Sequence, residues 1–289
     1  MRESGRTGVA VAVVLAVAAT VAGCGKQGAD DLVVTGEAPA RPYGGPLWVP
    51  SVDAEGDGAE GVRAEAGAAG RALECDGPVR SGGRSGPWSE GDGGETPEEG
   101  LRAYFEIEQP GVPERGYRVE RREAGRVLFS YDVAGETKVA VVVAEDRPRR
   151  PGWGPETAAS CDPAEFAPEY AEEQGWEVWT DRRGERVPLS EVSSSAGSGH
   201  CGWEQAHFLE LGAGADRKLY ARDPEGVLPP DMLTVPYDGS VRLPAAARDT
   251  GYRLDDRQLW LVDGAQRAYV RTPDGTEAWP AVREGMSCA

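Results

Sequence analysis

Val139 to Val143 form an unbroken apolar run inside Lys138-Val-Ala-Val-Val-Val-Ala144. A strand of this kind has no polar face to turn toward water, so it belongs in the middle of a sheet covered on both sides. Its neighbours supply the sheet. Tyr117–Arg121, Arg126–Tyr131 and Trp153–Ala159 also read as strands, and Ala134-Gly135-Glu136 makes a turn between the second strand and the apolar one. One cover is evident upstream. Thr96-Pro97-Glu98-Glu99 places an N-cap, a first-turn proline and acids at the positive end of a helix dipole. Leu101, Tyr104, Phe105 and Glu108 follow at helical spacing, and Pro110 stops the run. A helix packed on an antiparallel meander is an α+β arrangement.

Outside this unit the signals are shorter. Residues 59–74 are rich in helix formers but carry Gly61, Gly67 and Gly70, while the glycine-rich stretch Ser81–Glu95 reads as loop. Asp162-Pro163-Ala164-Glu165 starts a short helix toward Gln174, with Pro168 inside it. Along that helix Glu165, Glu169 and Glu173 would share one side, either as a solvated acidic face or as an attraction for a cation or basic partner. Ser190–Gly199 reads as a linker. Beyond it, Ala206–Leu211, Lys218–Arg222, Gln258–Val262, Gln266–Arg271 and Thr276–Trp279 read as short strands. Asp263-Gly264 and Pro273-Asp274-Gly275 supply hairpin turns.

The amino terminus carries an address. Arg2 and Arg6 precede the apolar run Val9–Ala19, which is too short for the ~20 residues of a bilayer span and fits the core of a signal peptide. It ends in Val21-Ala22-Gly23-Cys24, which resembles the lipobox of bacterial lipoproteins, with Val21 where that pattern prefers Leu. The resemblance implies cleavage before Cys24, lipid attachment to its sulfur, and a palmitate-type membrane anchor on the outer face of the cytoplasmic membrane. The expected division is therefore a signal peptide (1–23), a lipidated flexible tether (24–58), an α+β domain (59–189), a linker (190–199) and a mostly antiparallel β domain (200–289). Only Leu32-Val33-Val34 and Leu47-Trp48-Val49 interrupt the tether. The formal net charge of −18 argues against nucleic-acid binding and leaves acyl chains, not charge, to hold the chain at an anionic membrane.

With Cys24 assigned to lipid, Cys75, Cys161, Cys201 and Cys288 remain. An even number in an exported chain points to two disulfides, for which three connectivities exist. Cys75–Cys161 and Cys201–Cys288 are favoured because each closes one domain on itself. A zinc site fits poorly, since no C-x-x-C occurs and the spacings are wide.

The chemistry signals are faint. His200 and His207 are the only histidines, and they lack a fitting third metal ligand. Ser195 and Ser198 lie near His200 without a G-x-S-x-G frame. No phosphate-cradling or dinucleotide-binding glycine motif is present, and Asp255, Asp256 and Asp263 do not follow an EF-hand order. Trp153, Trp203, Trp260 and Trp279 read as core before sugar-stacking platforms. The expectation is a chain with no catalytic residue, metal or cofactor.

Two longer stretches carry a second resemblance. They are GAAGRALECDGPV with FSYDVAGETKVAVVV and GWGPETAASCDPAEF, and CGWEQAHFLELG with YARDPEGVL and LPAAARDTGYRLDDRQLWL. They are similar to membrane lipoproteins of high-GC actinobacteria such as streptomycetes, which implies compartment and architecture but no activity. The functional expectation is a non-enzymatic binding or adaptor module for an envelope protein or glycan, held to the membrane through Cys24. The alternative is a cryptic envelope hydrolase.

Overall fold

The apolar run lies at the centre of a five-stranded antiparallel sheet. The computed structural model describes residues 32–34, 39–50, 59–86, 91–108, 110–147, 150–213, 216–264 and 266–285. The predicted signal peptide, Cys24 and Cys288 lie outside these. The first half runs α1 (Ala59–Glu65), α2 (Gly67–Ala72), β1 (Ser81–Arg84), α3 (Pro97–Glu108), β2 (Tyr117–Glu123), β3 (Arg126–Val133), β4 (Glu136–Arg147) and β5 (Arg150–Ser160). Strand order is β1-β5-β4-β3-β2, so β4 is flanked on both sides. Its side chains divide as the pleat requires. Val139, Val141 and Val143 pack with Leu101, Tyr104 and Phe105 of α3. Ala140 and Val142 pack on the other face with Ala66, Ala68, Ala69 and Ala72.

Local chemistry sets the two covers. Thr96 Oγ1 accepts the Glu99 N–H at 3.2 Å, and the Glu99 carboxylate turns back to accept the Glu95 N–H at 2.5 Å, so α3 starts where its capping signal lies. Gly100 lets α3 lie close on β5: a Cβ there would sit 3.0 Å from Trp153 Cβ. The opposite cover breaks into two short helices at Gly67, whose φ of +55° is left-handed.

Three expectations about connecting segments change. The glycine-rich loop 81–95 contributes β1, an edge strand paired from Ser81↔Ser160 to Arg84↔Thr157. Glycine is needed there because a Cβ on Gly82 would lie 3.0 Å from the Ala158 carbonyl oxygen and 3.1 Å from Ala66 Cβ. The described part of the expected tether packs on the sheet. Val33 bridges Tyr117 in parallel, and Leu47 is 2% exposed in the core. Tyr43 and Leu47 donate their backbone N–H groups to Glu120 and Glu123. Leu32, Val33, Leu47 and Val49 of the two hydrophobic triplets anchor this segment while Val34 and Trp48 stay exposed, and burying the four offsets the cost of ordering their neighbours. Finally, the 190–199 stretch holds a strand and not a linker.

The second half consists of α4 (Pro168–Glu173), β6 (Trp176–Val178), β7 (Val192–Ala196), β8 (His207–Leu211), β9 (Lys218–Arg222), β10 (Arg248–Leu254), β11 (Arg257–Leu261), β12 (Arg267–Thr272) and β13 (Gly275–Pro280). The chain from 162 to 174 is a 3-10 turn (Pro163–Glu165) followed by α4, with Pro168 starting the second helix. Two four-stranded antiparallel meanders follow, β6-β7-β8-β9 and β10-β11-β12-β13. The serine run of β7 reads as linker in sequence, yet Val192 and Ser194 alternate inward opposite Leu211 and Leu209.

The meanders are stitched together at both edges. Thr180 and Arg253 exchange backbone hydrogen bonds of 2.7 and 2.8 Å, and Tyr220 bridges Ala281 on the other side. The result is a barrel-like pair of meanders, joined by isolated bridges around one core of Trp179, Val192, Leu209, Tyr220, Leu259, Val270 and Trp279. The buried Asp162 ties it to the first half, accepting from Ala164 N (2.9 Å), Leu189 N (2.8 Å) and the Ser190 hydroxyl (3.2 Å). The chain is thus mostly antiparallel β, more so than a plain α+β description implies.

Candidate functional site

Cys75 and Cys161 form a disulfide, with Cα atoms 5.4 Å apart. Cys201 is disulfide-bonded as well. Beside the first disulfide lies Lys138, which is only 3% exposed. Its ammonium donates to the Glu74 carbonyl (2.8 Å) and to Glu165 (2.9 Å), Glu136 (2.9 Å) and Asp76 (3.1 Å). Burial pulls the Lys138 pKa down, but its hydrogen bonds to Glu165, Glu136 and Asp76 outweigh that and hold it above the ordinary value. Glu165 therefore leaves the acidic stripe expected with Glu169 and Glu173 and serves this cluster. Among the described residues, Cys75, Cys161 and Glu165 are the one group close enough for a metal, but both sulfurs are spent in the disulfide.

The structure does bring Ser198 to His200, with Ser198 Oγ 2.6 Å from His200 Nδ1. In a Ser-His-Asp triad the serine uses Nε2, while Nδ1 faces the orienting carboxylate, so this contact occupies the orienting position. Ser195 lies on β7, paired with Trp176 and Phe208. Trp279 is buried as expected, and Trp153, Trp203 and Trp260 are half-buried. Trp48, within the expected tether, is instead the exposed tryptophan of the described residues, at 55%.

The most organised polar site is one mouth of the barrel. It is a cavity of about 350 Å³ whose lining includes His207, Arg222, Arg257, Thr272, Glu277 and Trp279. Register brings these together. His207 on β8 lies opposite Arg222 on β9, and Glu277 on β13 follows the same inward alternation as Trp279.

Two ion pairs hold the mouth, one lining it with both partners and the other with Arg257 alone, and each is backed by a buried tryptophan. Arg222 makes a forked contact to Glu277 (2.9 and 3.1 Å), whose carboxylate also accepts the Trp279 indole N–H at 2.8 Å. Arg257 donates to Glu177 at 2.9 Å. Glu177 also accepts the Ser194 hydroxyl at 2.5 Å, and Ser194 in turn accepts the Trp179 indole N–H at 3.0 Å. Burial pushes the Glu177 pKa up. Hydrogen bonds from Arg257 and Ser194, with the charges of Arg257 and His207, more than offset this and hold it below the usual carboxylate range. Glu177 thus keeps its charge in a half-buried place.

Between these pairs, His207 Nδ1 is buried and has no hydrogen-bond partner among the described residues. An unmet buried ring nitrogen costs free energy unless a bound molecule or water satisfies it. The Arg222 guanidinium is held by the forked contact to Glu277 and by Tyr237, over whose ring it lies 6.0 Å from the centroid, and with five N–H donors it has capacity beyond these two partners. Asp256 and Asp274 add acceptors at the rim. The mouth therefore offers donors and acceptors side by side around one orphaned nitrogen. Sequence reading had placed His207 on a strand, but it missed the others. Glu177, Arg222, Arg257 and Glu277 come from four different strands and form no local motif.

Compared with protein-family models, curated proteins and solved structures, the chain matches none.

Proposed function

We propose that this chain is a lipid-anchored extracytoplasmic protein that works by binding, with the barrel mouth as its ligand site. The observation that carries the binding reading is the buried, unpartnered Nδ1 of His207 between the Arg222–Glu277 and Arg257–Glu177 pairs. Fixed charges and tethered side chains make the mouth pre-organised, which lowers the ordering cost of binding. Its mixture of donors and acceptors suits a small polyhydroxylated molecule, such as a sugar unit of an envelope glycan. The Cys75–Cys161 disulfide supports an oxidising compartment, and the lipobox resemblance at Cys24 supports the anchor.

Titration with soluble N-acetylglucosamine oligomers, followed by NMR of the His207 imidazole, tests the reading. Saturable shifts at His207 that are lost in Arg257→Gln support it. Shifts confined to residues outside the mouth, or none, overturn it.

The Ser198–His200 contact keeps a hydrolase as the second reading. Ester or amide turnover abolished by Ser198→Ala would favour it over binding.

A further inference from the structure

A second cavity, of about 950 Å³, opens between the α3–β2 connection and α4, and shares no lining residue with the barrel mouth. Its walls are aromatic: Phe105, Tyr131 and Tyr170 line it. These rings belong to a continuous series, Tyr104–Phe105–Tyr117–Tyr131–Phe166–Tyr170–Trp176, with successive centroids 5.1 to 6.1 Å apart. The rings hold one another in place, so the walls are rigid.

The rim is acidic. Glu106, Glu114, Glu169 and Glu173 line the same cavity and are exposed, and none of them takes part in an ion pair among the described residues. Arg115 is the one basic residue of the lining. The potential inside is correspondingly negative. Burial raises the Tyr170 pKa to about 12, assisted by Glu114 and Glu173, and burial raises Tyr131 with Glu169 and Glu173 adding to it. Behind the walls lies an independent sign of an unmet partner. Tyr117 is fully buried and its hydroxyl has no hydrogen-bond partner among the described residues. The groups within electrostatic reach of that hydroxyl include Tyr131, Tyr170 and Glu114, which line the cavity.

Ring faces attract cations, and low-dielectric walls concentrate the field of the carboxylates. We propose that this groove binds a linear polyamine, with ammonium groups against the carboxylates and aliphatic spacers against the rings. The four carboxylates are spread over α3, the α3–β2 connection and α4, which favours several charges on one flexible chain over a single compact ion. The site is separate from the barrel mouth and does not depend on the reading given to it.

Spermidine is the probe, titrated calorimetrically into the full chain at physiological salt. Saturable binding is expected, whereas 1,8-octanediol, with the same end-to-end chain length and no charge, gives none. Glu173→Gln should weaken binding about fivefold, the upper end for the loss of one exposed charge contact. Glu172→Gln, on the same helix but outside the lining, should leave it within about twofold, as screened charges do. Tyr170→Leu should weaken it about threefold through the lost ring face. Absence of saturable spermidine binding overturns the proposal. So does equal weakening by Glu172→Gln and Glu173→Gln, which would mean diffuse attraction to an acidic surface.

Discussion

Thr180 and Arg253 lie 73 residues apart and exchange both backbone hydrogen bonds, at 2.7 and 2.8 Å. This pair closes one seam of the barrel, and Tyr220↔Ala281 closes the other. Each seam is an isolated bridge between two separate four-stranded sheets, and it covers part of an edge that would otherwise be open to pairing. Thr180→Pro removes the N–H that bonds the Arg253 carbonyl and leaves that carbonyl unmet. The expected loss is about 1–3 kcal/mol, the cost of an unsatisfied buried group. Hydrogen exchange checks it: the Arg253 amide should lose protection in the variant, while amides of β4 keep theirs.

The disulfide that closes the first half spans a sequence separation of 86. In the loop-entropy model a ring of that size contributes ~4–5 kcal/mol. A Cys75→Ala/Cys161→Ala double variant should therefore show a lower denaturant midpoint and a larger m-value, because the unfolded chain expands once the cross-link is gone. A fall in m would instead mean that the unfolded state had become more compact.

Lys138 tests the charged cluster beside that disulfide. Replacing it with Met leaves Glu165 half-buried without its cation, for an expected loss of about 3 kcal/mol. The loss stays near the low end because Glu165 still accepts the Asp76 and Gly77 backbone N–H groups at 2.8 and 3.0 Å. The pH dependence has a definite sign. The folded-state pKa of Lys138 lies above its ordinary 10.5. Its contribution is therefore full below that value and is lost as pH rises through the folded one. Alkaline unfolding curves should show this limb in the parent and a shallower one in Lys138→Met.

Tyr117→Phe should go the other way. The hydroxyl it removes is fully buried and unpartnered, so the free protein should gain about 1 kcal/mol. A thermal melt decides it. Destabilisation would mean that the hydroxyl has a partner, such as an ordered water.

Sequence alone determined the first sheet in some detail. The run Val139–Val143 required cover on both faces, and α3 together with α1 and α2 provides it. The Thr96 cap marked the start of α3, and the choice of Cys75–Cys161 as partners agrees with the structure. The apolar run and the cap are local signals or follow from the pleat, while the cysteine choice rested on each pair closing one domain on itself across a separation of 86. What failed were segments whose state is set from outside. The serines of β7 and glycines of β1 have no strand preference of their own, and neighbouring strands hold them. Leu47 resembles an interruption in a linker until the face that buries it is known. The barrel mouth lay furthest from view. Glu177, His207, Arg222, Arg257 and Glu277 meet only after two meanders close on each other, because pairing register, not spacing along the chain, decides which side chains share one end of a barrel.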